Sequence, residues 1–182
     1  ARVRKLQGEC VRLNDDIRWL VALISDTGMR LSEAVGLRHQ DLKLDHEVPH
    51  VALVPHATRR LKTDSSERVI PLVGASLWAA QKIIESDHSE YCFPRYCSDA
   101  VCKSNSASAA INKWIKAVVG SNAVIHGFRH GFRDRLRAVE APVDMIDQLG
   151  GWSLRSVGQG YGDGYPLDLL HRWMERIAIG EQ

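Results

Sequence analysis

The segment His126-Gly127-Phe128-Arg129-His130 places a histidine and an arginine three residues apart, on one face of a helix that begins there. A helix N-terminus offers free N–H groups and the positive end of the peptide dipole, so the pair predicts an anion site. Arg129 would supply a bidentate fork and His126 a titratable donor. Alone, H-x-x-R describes many solvated helix faces. The surroundings say more. Between positions 113 and 137 lie Lys113, Lys116, Arg129, Arg133, Arg135 and Arg137, with Asp134 as the only acid, which suits a polyanionic partner.

Three further segments carry side chains fit to join such a site. Thr27-Gly28-Met29-Arg30-Leu31-Ser32-Glu33 ends one helix at a glycine and starts another at once, which sets Arg30 on a sharp bend. Glu33 lies three residues on and can orient that guanidinium; otherwise the two form a surface ion pair worth about 1 kcal/mol or less. Arg59-Arg60-Leu61-Lys62-Thr63-Asp64 is a basic loop whose lysine matters only if the loop reaches the same ligand. Gly150-Gly151-Trp152-Ser153 supplies an indole N–H, a donor only. Nine residues after Trp152, Tyr161 sits between Gly160 and Gly162, a context that suits a nucleophile approaching a bound phosphate better than a packed core tyrosine.

The elements that must position these groups are mostly helical. Asn14-Asp15-Asp16 offers a cap and first-turn acids ahead of Ile17, Leu20, Val21 and Ile24, and Thr27-Gly28 stops that helix. A second begins at Ser32. Val48–Val54 and Glu67–Leu72 are short and β-branched, which predicts two strands of a hairpin with the basic loop at its tip. Helical periodicity returns from Gly74. It recurs over Ala109–Val118 up to Gly120, over His126–Val139, and after Pro142 as far as Gly150-Gly151. A last apolar stripe, Leu167, Leu170, Trp173, Met174 and Ile177, runs through 166–179 and either covers its own core or docks on a neighbouring copy. The fold class expected is α+β, mainly helical, with one small antiparallel sheet.

Composition narrows the function classes. The chain has 45% hydrophobic and 25% charged residues and a net charge of +2, the balance of an ordinary globular domain of one core. No apolar run approaches the roughly 18 residues of a membrane span, and no basic-then-apolar leader opens the sequence. The start at Ala1-Arg2-Val3 reads as a piece of a longer protein. Cys10, Cys92, Cys97 and Cys102 lack the spacing of a structural zinc site and the density of a disulfide framework, so reduced, buried thiols are expected.

Taken in order, these motifs resemble the catalytic domain of the tyrosine recombinase (phage integrase) family. TGMRLSE resembles the first arginine box, LKTDSSERVIPL the lysine hairpin, HGFRHGF the second box, LGGW the third and GQGYG the nucleophile segment. The resemblance spans roughly Leu13 to Ile179. Where many members have histidine in the third box this chain has Trp152, and Gly131-Phe132 follows His130 where a small hydroxyl residue is common.

The resemblance implies site-specific cleavage and rejoining of double-stranded DNA with Arg30, Lys62, His126, Arg129, Trp152 and Tyr161 as the catalytic set. Glu33 and His130 would position them, and Arg59, Arg60, Lys113, Lys116 and Arg133 would contact DNA. It implies a single catalytic domain over 1–182, with a separate N-terminal DNA-encircling domain outside this sequence. It also implies no metal or ATP, a homotetramer on paired duplexes, and action in the cytoplasm of a bacterial host, on the nucleoid. A type IB topoisomerase uses a similar residue set, a non-catalytic DNA-binding relic would share the fold, and a metal-dependent nuclease is a more distant alternative.

Overall fold

A computed structural model describes residues 1–56, 66–86, 89–98, 101–120, 122–152 and 164–179. Helix α2 (Asp16–Thr27) organises it. Asp15 caps its start by accepting from the Arg18 amide at 3.0 Å, and Gly28 ends it in the left-handed region at φ 62°. Every residue from Leu20 to Thr27 is buried, because α1 (Arg2–Leu13), α4 (Gly74–Ser86) and α6 (Gly127–Ala138) pack around this helix. Phe132 of α6, Ile83 of α4 and Leu20, Leu23 and Ile24 of α2 are among the largest fully buried side chains.

A charge sits inside this core. Asp26 is fully buried, and it accepts from Gln7 Nε2 at 3.0 Å, the Ala75 amide at 3.0 Å and Arg135 Nη1 at 2.8 Å. One carboxylate thereby fastens α1, α4 and α6 to α2, and donors from three elements offset its loss of hydration.

The hairpin expected from Val48–Val54 and Glu67–Leu72 is present as β2 (His50–Leu53) paired antiparallel with β3 (Arg68–Pro71), with Val51 opposite Ile70 and Leu53 opposite Arg68. A two-residue strand β1 (Leu42–Lys43) adds on the far side of β2. Between the first two boxes the chain also forms α3 (Leu31–Val35), a short pair β4 (Cys97–Ser98) and β5 (Val101–Cys102), and α5 (Ser104–Val119). Helix α7 (Val143–Gly150) follows α6, with Pro142 as its cap rather than its first residue. The last helix, α8 (Leu167–Ile177), buries Leu170, Met174 and Ile177 against β3 and α6 of its own domain.

One expectation is overturned. Cys97 and Cys102 are directly opposite each other on β4 and β5, and they form a disulfide; only Cys10 and Cys92 are free, both buried. The C-x4-C spacing closes a tight antiparallel pair, which the four-cysteine count alone does not reveal.

Candidate active site

Two helix ends and one strand build the site. Gly28 reverses the chain after α2. Its positive φ suits glycine, and a Cβ there would approach the Phe132 ring to 2.5 Å. That tight turn brings Arg30 to the start of α3. Glu33, one turn into α3, accepts from the Arg30 amide at 2.8 Å and from Arg30 Nη1 at 2.6 Å. Glu33 is not a surface residue: its side chain is 5% exposed, and it also accepts from Arg68 Nη1 at 3.3 Å and Nη2 at 3.0 Å. Burial pushes the Glu33 carboxyl up, but the Arg68 charge and hydrogen bonds, joined by those of Arg30, outweigh it and hold the group below the usual carboxylate range.

The second box faces this corner. Arg129 is buried in the first turn of α6 and donates from Nη1 to the Gly28 carbonyl at 2.8 Å, which joins the second box to the turn of the first. Its Nη2 is buried with no hydrogen-bond partner, and among the described residues no carboxylate pairs with it. Burial, and then the charges of Arg30 and Arg68, pull the Arg129 pKa down to about 10. The guanidinium stays charged at neutral pH, in a setting short of negative charge.

The anion site differs from the sequence expectation in one respect. The amides of Gly127, Phe128 and Arg129 already donate to the carbonyls of Val124, Ile125 and His126. Side chains, not free helix-end amides, give this site its positive character. His126, exposed at the cap of α6, lies edge-on to His130 with ring centroids 5.0 Å apart. Partial burial, followed by the charges of His130, Arg129 and Arg30, holds the His126 pKa below its ordinary value.

Trp152 packs against the second box. Gly151 ends α7 at φ 61°, and the chain folds the indole back over Gly150, where a Cβ would fall 1.7 Å from the ring. The two glycines of LGGW therefore have separate tasks, one to turn the backbone and one to make room. The Arg129 guanidinium lies 4.4 Å from the indole centroid and that of Arg133 4.9 Å. Arg133 is half-buried and paired with the buried Asp147 at 3.3 Å, so it forms part of the wall; Lys113 and Lys116 are exposed on α5.

The structure thus brings together Arg30, Glu33, His126, Arg129, His130, Arg133 and Trp152. Lys62, Arg59, Arg60 and Tyr161 lie outside the described residues. The residues flanking them are placed. His56 bonds the Gly36 carbonyl at 3.1 Å, just after α3, and the Ser66 hydroxyl accepts from Arg30 Nη1 at 3.2 Å, so one end of the lysine loop meets the end of α3 and the other meets the first box. Beyond the tyrosine, the Tyr165 amide donates to Gln148 Oε1 at 2.8 Å, Gln148 Nε2 donates to the Tyr165 carbonyl at 3.1 Å, and Tyr165 Oη donates to Asp144 at 2.9 Å. Two site residues escaped the sequence reading: Ser66 and Arg68. Arg68 had a signal, as an arginine in a β-branched strand where an apolar residue is expected. Among the described residues, no group of three His, Cys, Asp or Glu side chains could hold a metal ion.

Comparison with known proteins bears on the fold and the family. The chain resembles solved structures of the Tn1549 transposon integrase. One is in complex with a circular intermediate DNA, at 20% identity, TM-score 0.56, 88% of this chain and 58% of that one. Another is in complex with transposon right end DNA, at 19% identity, TM-score 0.54, 87% of this chain and 58% of that one. At that identity the likeness establishes the fold, and this chain spans less than two thirds of those proteins. No curated protein matches in direct sequence comparison. The profile of the phage integrase family matches residues 4–165, and the chain belongs to that family.

Proposed function

We propose that this domain cleaves and rejoins DNA strands at a specific site, through a covalent bond between Tyr161 and a 3′-phosphate. The observation that carries the reading is Arg129: a buried guanidinium with an unpartnered nitrogen, stacked on Trp152 and repelled by the charges of Arg30 and Arg68. A phosphodiester supplies the missing charge. Tyr161 Oη attacks phosphorus, the bond from phosphorus to the 5′-oxygen breaks, and the phosphate charge is shared between Arg30 and Arg129. His126 takes the phenol proton, and Lys62 returns one to the departing 5′-oxygen. Rejoining reverses these steps, and because the phosphotyrosyl bond conserves the diester energy, no ATP is consumed.

Chain connectivity supports the nucleophile. Tyr161 lies three residues before Gly164, which abuts Gln148. Three residues of chain, at roughly 3.3–3.6 Å each, span at most about 11 Å. Tyr165 is a poor substitute: burial and its bond to Asp144 raise its pKa and hold its hydroxyl in a structural contact.

The partner is double-stranded DNA, with Lys113, Lys116, Arg59 and Arg60 as further phosphate contacts. Residues 1–182 form the catalytic domain, and a separate domain of the same protein encircles the duplex, with four copies acting on paired sites. The setting is the bacterial cytoplasm, on the nucleoid. The test is a suicide duplex nicked next to the element's own junction. Wild-type protein should become covalently attached to DNA, and Tyr161→Phe should bind the duplex and form no adduct. An adduct that persists in Tyr161→Phe refutes the assignment.

A further inference from the structure

We propose that Arg68 is a positioning residue that registers both the base of the lysine hairpin and the Trp152 turn to Arg30; the proposal deepens the strand-cleavage reading and rests on it for its catalytic consequence. Arg68 lies at the start of β3 with its side chain only 3% exposed, and it spends its donors in three directions. Nε donates to the Leu149 carbonyl at 2.9 Å, Nη1 to the Ser66 carbonyl at 2.7 Å, and the Nη1/Nη2 fork grips both Glu33 oxygens. Leu149 is in the last turn of α7, where carbonyls lack an intrahelical partner, and a cation there also meets the negative end of the helix dipole. Glu33 in turn holds Arg30 by its amide and its guanidinium. One planar group therefore touches three of the four described boxes and touches no reacting atom.

The geometry demands arginine. A fork with five donors in a plane satisfies a carboxylate and two carbonyls at once, whereas a lysine at the same place offers a single nitrogen. Without the fork, Glu33 still holds Arg30. The Ser66 end of the hairpin and the α7 end that carries Gly150 and Trp152 lose their common tie. Small displacements of this kind are costly in a preorganised site.

The test compares wild type, Arg68→Lys and Arg68→Met by amide hydrogen exchange and by single-turnover cleavage of the suicide duplex. In Arg68→Lys, exchange of residues 66–67 and 148–152 should speed by about tenfold or more while α2 keeps its protection. Cleavage should fall by about 100-fold with DNA affinity nearly unchanged. Wild-type exchange in both segments of Arg68→Lys overturns the proposal, as does an even loss of protection that includes α2, which would make Arg68 a general stabiliser. Arg68→Met serves the same comparison if the lysine variant does not fold. If wild-type protein itself forms no adduct, the cleavage reading fails, and the exchange result still decides the role of Arg68.

Discussion

The two arginines of the site feel each other's charge and live under opposite conditions. Arg30 is at a corner whose charge is settled in advance. Glu33 binds it and Arg68 together, so the guanidinium is aimed before any ligand arrives. Arg129 is at a corner left open, with one nitrogen on a backbone carbonyl, one unpartnered, and an aromatic ring for company. Protein stability favours the first arrangement and tolerates the second only because the surrounding core and Gly28 hold the side chain in place. Under the proposed function the contrast divides the work: the closed corner supplies geometry, and the open corner, with its unpartnered buried nitrogen, supplies most of the demand for an anion.

The sharpest way to break this comparison is to remove one group from each corner and measure two quantities. Arg129→Met should lower cleavage by about 10²–10³, the usual cost of losing one preorganised donor to a transition-state anion. Its anion-free stability should be unchanged or raised by up to about 2 kcal/mol, because a poorly compensated buried charge is replaced by an apolar chain. Glu33→Gln should behave the other way in denaturation, losing about 3–5 kcal/mol as Arg68 is left as an uncompensated buried charge. The linkage sign agrees. A carboxyl whose folded pKa is depressed adds stability above its ordinary value near 4.5, and loses it as pH falls through the folded value, so the Gln variant should also show a weaker acid transition. Equal destabilisation by both substitutions would erase the distinction between the corners.

Much of this design is legible in the sequence, and the residues that are not share a cause. Gly28, Glu33, His126, Arg129 and Trp152 announce themselves because each sits at an element boundary, where capping residues and glycines mark the chain. The hairpin could be read from β-branched runs, although the two-residue β1 is too short to leave a period. The roles of Arg68, Ser66 and the Asp26 network could not be read, since, apart from the Ser66 carbonyl two residues from Arg68, the partners lie 19 to 109 positions away. Contacts at that range are created by packing, and no local pattern encodes them. The first helix shows the same limit. It buries Leu6, Gln7 and Cys10, a narrow and partly polar stripe hidden among Arg2, Arg4, Lys5 and Arg12. The disulfide is the converse case, in which five residues of separation carried the answer and the overall cysteine count pointed elsewhere.

A smaller effect sharpens the comparison from the ligand side. Orthovanadate or sulfate, as a stand-in for the phosphodiester, should stabilise wild-type protein by about 1.4 kcal/mol at ten times its dissociation constant, read as an upward shift of the thermal midpoint. Arg129→Met should lose that shift. Glu33→Gln, if folded, should keep a part of it, because the open corner survives. A shift retained in full by Arg129→Met would place the anion elsewhere on the basic surface.

The subtlest consequence concerns His126, which stands at the rim of the open corner. Partial burial and the neighbouring positive charges of His130, Arg129 and Arg30 depress its pKa, so in the free protein its imidazole stays neutral somewhat below pH 6.5 and can accept the proton of a phenol. The sign follows. Because the unfolded chain binds this proton more readily, the group detracts slightly from stability as pH drops below 6.5, and the loss levels off once the folded form is protonated too. An anion bound between Arg30 and Arg129 cancels part of the repulsion and should move the midpoint upward, as should His130→Ala, which removes one of the like charges. Proton NMR of the His126 ring, titrated with and without vanadate, separates the two sources. A midpoint that rises in His130→Ala yet ignores the anion would show that His126 answers only to its neighbouring imidazole. The proton acceptor would then have to be sought elsewhere around the pocket.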